Sequence, residues 1–220
     1  MKKLFSIVLI LIIVITPVMV NTETAAAKDY YRSFSKLDKH QTRGEDYYIN
    51  KYDGPSNTAI IAIHAGKIEF QTGELAATIA ELTGSDLYTF EGIKDKNNSI
   101  LHVTSTHFNE PVARNLVAQS NITLSIHGCK GKRAVTYVGG QDTKLGKKIK
   151  ASLRDAGFKV VNPPQRLDGK NSKNICNKNA SGKGVQLELT VPLREQFVSD
   201  SGPTDTFYRY AAAVSKALQK

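Results

Sequence analysis

The chain has 220 residues, 30 Lys and Arg against 20 Asp and Glu, and a formal charge of +10. Two cysteines and no Cys-x-x-Cys pair exclude a disulfide-dense scaffold and a cysteine zinc cluster. So basic a chain suits a polyanionic partner, and charge alone does not choose among wall polymer, nucleic acid, acidic capsule and membrane surface.

Taken in chain order, two lysines precede an apolar run from Leu4 to Ile15, followed by Pro17 and the small residues Ala25 to Ala27. This pattern predicts a secretory signal peptide over residues 1–27, the alternative being an uncleaved N-terminal anchor. Its removal leaves a charge of about +9, because Lys2, Lys3 and Glu23 depart with it. The expected product is secreted and monomeric, without stable membrane association. In an oxidising compartment the even cysteine count predicts a Cys129–Cys176 disulfide, worth about 4 kcal/mol by loop closure. The alternative is two buried free thiols.

Residues 28–58 are polar and rich in Tyr and turn residues, and read as an N-terminal extension packed on a domain spanning 59–220. Within that domain, strand and helix patterns alternate. Strands are expected at 58–63, 86–90, 99–105, 121–128, 134–139, 158–161 and 184–190. Helices are expected at 73–84, 109–120, from Asp142 to the Gly157 cap, and over about 205–219. The predicted fold is α/β, a mixed or mostly parallel central sheet with helices on both faces. Ligands of such sheets bind outside the carboxyl ends of the strands.

That rule selects His64 and His127, each closing an aliphatic run, "AIIAIH" and "ITLSIH". Glu69 follows His64 past the Gly66 turn and can fold back toward it. Two imidazoles and a carboxylate with an open fourth position make a catalytic zinc site. The bland alternative is two hydrogen-bonded core histidines and a helix-capping glutamate. Alternation along "GVQLELT" sets Val185, Leu187 and Leu189 against Gln186 and Glu188, and Glu188 is the candidate general base. A salt bridge from Glu188 to Arg194 is its structural alternative; otherwise Arg194 is free to hold substrate charge. His102 and His107 alternate along an expected strand, so at most one faces the site. No His-Glu-x-x-His, Gly-x-Ser-x-Gly or phosphate-binding glycine loop occurs, and no aromatic-basic interleaving suggests nucleic-acid binding.

The blocks "HAGKIEFQTGELA", "LHVTSTHFNEP", "SIHGCKG", "YVGGQD", "NPPQRLDGKNSKNICNKN" and "GVQLELTVPLRE", in that order, resemble the poly-γ-glutamate hydrolases of phages and bacilli over residues 28–220. The resemblance implies a fold related to zinc carboxypeptidases and a zinc-dependent endohydrolase cutting the γ-amide bonds of an anionic polymer. It implies one zinc ion on His64, Glu69 and His127, with Glu188 as base. Three positions depart from the pattern: Ala65 and Gln71 stand where glycine is usual, and Lys178 where a substrate-facing arginine is expected. Two other functions fit the same residues less fully. One is a zinc peptidase or amidase of peptidoglycan stem peptides; the other is a non-catalytic binder of anionic wall polymer.

Overall fold

A computed structural model describes residues 29–219; the expected signal peptide lies outside the described residues. Seven strands form one mixed sheet. In chain order they are β1 (Tyr47–Tyr52), β2 (Thr58–Gly66), β3 (Asp86–Gly92), β4 (Ile122–Cys129), β5 (Thr136–Gly140), β6 (Val160–Val161) and β7 (Val185–Thr190). Their spatial order is β1-β3-β2-β4-β7-β5-β6. The central four, β3, β2, β4 and β7, are mutually parallel, while β1 and β5 run antiparallel to their neighbours β3 and β7.

Helices cover both faces, as the alternating sequence pattern requires. α2 (Thr72–Thr83), α4 (Thr143–Asp155) and α6 (Asp205–Leu218) pack on one face against Ile60, Ala62, Leu124, Ile126, Val185, Leu187 and Leu189. α1 (Phe34–Leu37) and α3 (Pro111–Gln119) cover the other, against Ile61, Ile63, Tyr88 and Phe90. A short helix α5 (Val191–Arg194) follows β7 directly. The N-terminal stretch expected to wrap on the domain contributes a strand, β1, to its sheet, and Tyr47, Phe34 and Leu37 to its core. The chain leaves β2 toward β3 on one side and leaves β4 toward β5 on the other. The carboxyl ends of β2 and β4 therefore flank a switch point, where parallel sheets open a crevice.

Two expectations are corrected. Residues 99–105 form no strand; Asn98–Leu101 is a 3-10 turn and the chain then runs on as a loop. Its apolar alternation comes from Leu101 and Val103 plugging the α3-side core, and β3 already has a neighbour on each side. Nor do Cys129 and Cys176 pair: both are free and buried. Cys129 closes β4 at the crevice, whereas a Cβ built on Gly184 would overlap both Cys176 O and Thr123 O, placing Cys176 near the start of β4. At about 3.3 Å per residue, Thr123 and Cys129 stand about 20 Å apart along the strand, far beyond the roughly 7 Å limit for disulfide Cα atoms. Burial pushes both thiols up to about 12.

Candidate metal centre and catalytic carboxylate

Strict alternation would aim the His64 side chain with Ile60 and Ala62, toward α2. It does not point there, because β2 carries a bulge. Ala62 pairs with Thr89 and Ala65 with Glu91, so three steps on β2 match two on β3. The extra residue flips the parity: Ile63 and His64 both face the α3 side, and Ala65 returns to the α2 side. Bulges of this kind re-aim side chains beside functional sites. His127 on β4 faces the α3 side by ordinary alternation, since Leu124 and Ile126 face the other. The bulge thus brings the two histidines together.

Glu69 reaches the same point through a tight turn. Gly66 has φ +64°, and a Cβ there would lie 2.7 Å from Gly92 O, so only glycine fits without strain. The Glu69 N–H then donates to His64 O at 2.8 Å, closing the turn. Its carboxylate Oε2 accepts the Gly128 N–H at 2.7 Å, which orients it across the gap between β2 and β4.

The donor atoms converge. His64 Nδ1 lies 3.2 Å from His127 Nδ1 and 3.2 Å from Glu69 Oε1, and His127 Nδ1 lies 3.7 Å from Glu69 Oε2. A carbonyl only accepts, so the 2.9 Å bond from His64 Nε2 to Val103 O puts the proton on Nε2 and leaves the Nδ1 lone pair facing inward. The His127 Nε2 is held in turn by the Ser125 hydroxyl at 2.8 Å. Ligands about 2.0–2.2 Å from a tetrahedral zinc stand about 3.3–3.6 Å apart, which matches these separations. The donor set therefore fits one zinc ion, and the outer bonds to Val103, Ser125 and Gly128 are of the kind that orient metal ligands. Burial opposes the charge on Glu69, but His64 and His127 outweigh it and hold the carboxyl well below its usual range.

Glu188 sits beside this cluster. It pairs directly with His127 across β4 and β7 and shares its face, since Leu187 and Leu189 point to the other. Its Oε1 accepts from Gln186 Nε2 at 2.8 Å, and Gln186 is fixed by Asn174. Burial, and then the charge of Glu69, raise its pKa well above normal. A buried carboxyl of raised pKa beside a candidate metal centre suits general acid–base work.

Arg194 lies close but is not an ion-pair partner of Glu188 among the described residues. Its guanidinium donates to Leu189 O at 3.2 Å and Phe70 O at 2.8 Å, and stacks over the Phe70 ring. A Cβ on Gly128 would sit 2.6 Å from its Cζ, so the arginine fills the space that this glycine leaves. Lys178 stands apart, exposed on the Ile175–Lys178 turn rather than in the metal cluster.

Of the candidate pair His102 and His107, His102 reaches the site: its ring lies over His64 with centroids 4.0 Å apart, its Nδ1 bonds Asp29 at 2.9 Å, and its Nε2 is 3.9 Å from Glu69. His107 points to solvent, so a single member of that pair does reach the site, through a loop rather than by strand alternation. Tyr137 pairs with Glu188 from β5, and the charge of Arg166 is felt at Glu188. A lone arginine in a Pro-rich loop carries no sequence signal of that approach.

A model of the poly-gamma-glutamate hydrolase family matches residues 31–215. The chain belongs to the poly-gamma-glutamate hydrolase family. Relatives within reach of this family member include the SPbeta prophage-derived UPF0714 protein YoqZ of Bacillus subtilis (strain 168), 34% identical over 91% of this chain and 75% of its own length. UPF0714 protein YmaC of the same organism is 32% identical over 90% of this chain and 87% of its own. Among solved structures, a bacteriophage poly-gamma-glutamate hydrolase superimposes with TM-score 0.85 at 35% identity, covering 87% of this chain and 97% of that one. A zinc-free form of YndL superimposes with TM-score 0.80 at 29% identity, covering 88% and 98%. The three-layer α/β architecture expected from the sequence is thus the family's fold.

Proposed function

We propose that this chain is a secreted, zinc-dependent endohydrolase of the γ-amide bonds of poly-γ-glutamate. The observation that carries the reading is the convergence of three inward-facing donor atoms, His64 Nδ1, a Glu69 carboxylate oxygen and His127 Nδ1, beside the buried Glu188. Family membership, a solved bacteriophage poly-gamma-glutamate hydrolase of the same fold and a relative described as zinc-free in one form support substrate and metal. The apolar run and Ala-rich exit within residues 1–27 support export.

His64, Glu69 and His127 would hold the ion. When bound, zinc supplies Lewis-acid polarisation of the scissile carbonyl and lowers the pKa of its water toward about 7. Glu188 takes the proton of the attacking water and passes it to the leaving nitrogen. Gln186 holds one oxygen of that carboxylate, leaving the other free for the transfer. The charge of Arg166 partly offsets the rise in the Glu188 pKa. Arg194 keeps the β4 end and the Phe70 turn in place.

The test follows the size of purified poly-γ-glutamate over time with native protein, with chelator, and after zinc is restored. Loss of long polymer that stops with chelator and returns with zinc is the expected result. Intact polymer with zinc demonstrably bound would retain the site and remove the substrate.

A further inference from the structure

A groove of about 790 Å³ runs along the exposed side of α3, from the loop after Ser105 down to Lys178 near the start of β4; the metal cluster does not line it. It is walled by the loop at Thr106 to Asn109, by α3 and by the Lys173 to Lys178 segment. Four exposed cations line it, Arg32, Arg114, Lys173 and Lys178, together with His107 and no carboxylate. Among the described residues, none of the four cations forms an ion pair. Unneutralised like charges drawn into one concavity repel one another, and an anion spanning them relieves that repulsion.

Hydrogen bonds tie its walls to the catalytic groups at two points. Ser105, next to its wall, places its hydroxyl 3.4 Å from His127 Nε2, and its backbone carbonyl accepts the Ile175 N–H at 3.0 Å. Asn174, between Lys173 and Ile175, bonds Gln186, which in turn bonds Glu188. The same short segment therefore carries groove cations on one side and supports the catalytic carboxylate on the other.

We propose that this groove is a polycarboxylate-binding extension of the site, holding successive side-chain carboxylates of the polymer on one side of the scissile bond. The proposal rests on the reading of the active site above. Nucleic acid does not fit as well, because Phe108, the aromatic in the wall, is buried and offers no face for base stacking. A substrate too short to reach the groove loses its contacts, so the groove also sets a length preference.

The test uses zinc-loaded Glu188→Gln protein, which retains polymer without cutting it, and labelled poly-γ-glutamate of defined length. Arg114→Ala with Lys173→Ala weakens binding by about five- to tenfold at low salt and flattens its salt dependence. Lys144→Ala with Lys148→Ala removes the same charge from the opposite sheet face and leaves affinity within about twofold. Equal loss in both pairs, or loss in neither, overturns the groove. If the first pair lowers the Tm, Arg32→Ala with Lys178→Ala gives the same comparison with the two remaining cations. In the hydrolytic background, the first pair also erases the advantage of long polymer over short oligomer. Native protein that binds polymer through the groove but never cuts it would instead remove the proposed reaction and keep the groove.

Discussion

His64 and His127 face each other through their Nδ1 atoms at 3.2 Å, although they stand on strands whose simple alternation would put them on opposite sides of the sheet. The bulge between Ala62 and Ala65 reverses the parity of β2 at the last moment, and the Val103 carbonyl then selects the tautomer with its lone pair inward. Two lone pairs and an ionised carboxylate at this spacing repel unless a cation lies between them.

Zinc should therefore stabilise the fold as well as activate it. At a free concentration 100 times the dissociation constant, binding contributes about 2.7 kcal/mol. Native protein should show a Tm that rises on zinc addition and falls with chelator. His64→Ala and His127→Ala should show no zinc-dependent rise, and retention of the full rise by either variant would remove it from the ligand set.

Glu188→Gln should cost about 10²- to 10⁴-fold in kcat, the range for general acid–base catalysis. The same change should stabilise the metal-free protein at neutral pH. A carboxyl whose folded pKa is raised binds its proton more tightly when folded, so its burden is absent below the unfolded value near 4.3 and grows as pH rises toward the folded value. Stability of native and variant protein measured across pH 4 to 8 should diverge upward from that point. Parallel curves would contradict the buried position.

Asp29 should have the opposite pH signature. Burial raises its pKa, but the Thr104 N–H and His102 outweigh this and leave it lowered. Its contribution is complete above the unfolded value near 3.9 and is lost as pH falls through the lower folded value. Asp29→Asn should remove that acid-limb loss and release His102 from its orientation. Activity measured for the variant should fall by several-fold with substrate affinity little changed.

Gln71 caps α2 with φ +67°, a left-handed conformation that costs a non-glycine residue about 1–2 kcal/mol. Gln71→Gly relieves this and pays about 0.5–1 kcal/mol in chain entropy, for a net gain of up to about 1 kcal/mol in denaturant unfolding. Ala65 is different. Its φ is not positive, and its methyl fills the space against Gly73, so Ala65→Gly should destabilise by about 1 kcal/mol.

The cysteines should behave as thiols. Both should react with an alkylating agent after unfolding without reductant, and reductant should not shift the Tm, because about 20 Å of strand separates them.

Much of this was legible in the residues. Aliphatic runs in "AIIAIH", "ITLSIH" and "GVQLELT" marked the buried parallel strands, and the period of "DTKLGKKIKASLRDAGF" marked α4, because burial and periodicity are local properties. The same locality singled out the candidate ligands and the candidate base: a polar residue ending an apolar strand needs a reason, and Gly66 followed by Glu69 supplied one. What the residues did not contain was parity and distance. A bulge arises from the pairing of β2 with β3, so no reading of β2 alone places His64 on the face of His127. His102 enters over the ring of His64 only because Leu101 and Val103 are pulled into the core of another layer. The cysteines fall at opposite ends of β4 because the loop carrying Cys176 returns to the start of β7, and the chain between them is long enough to have allowed either outcome. Chemistry is carried by single residues, whereas which of them meet is decided by strand register and layer packing.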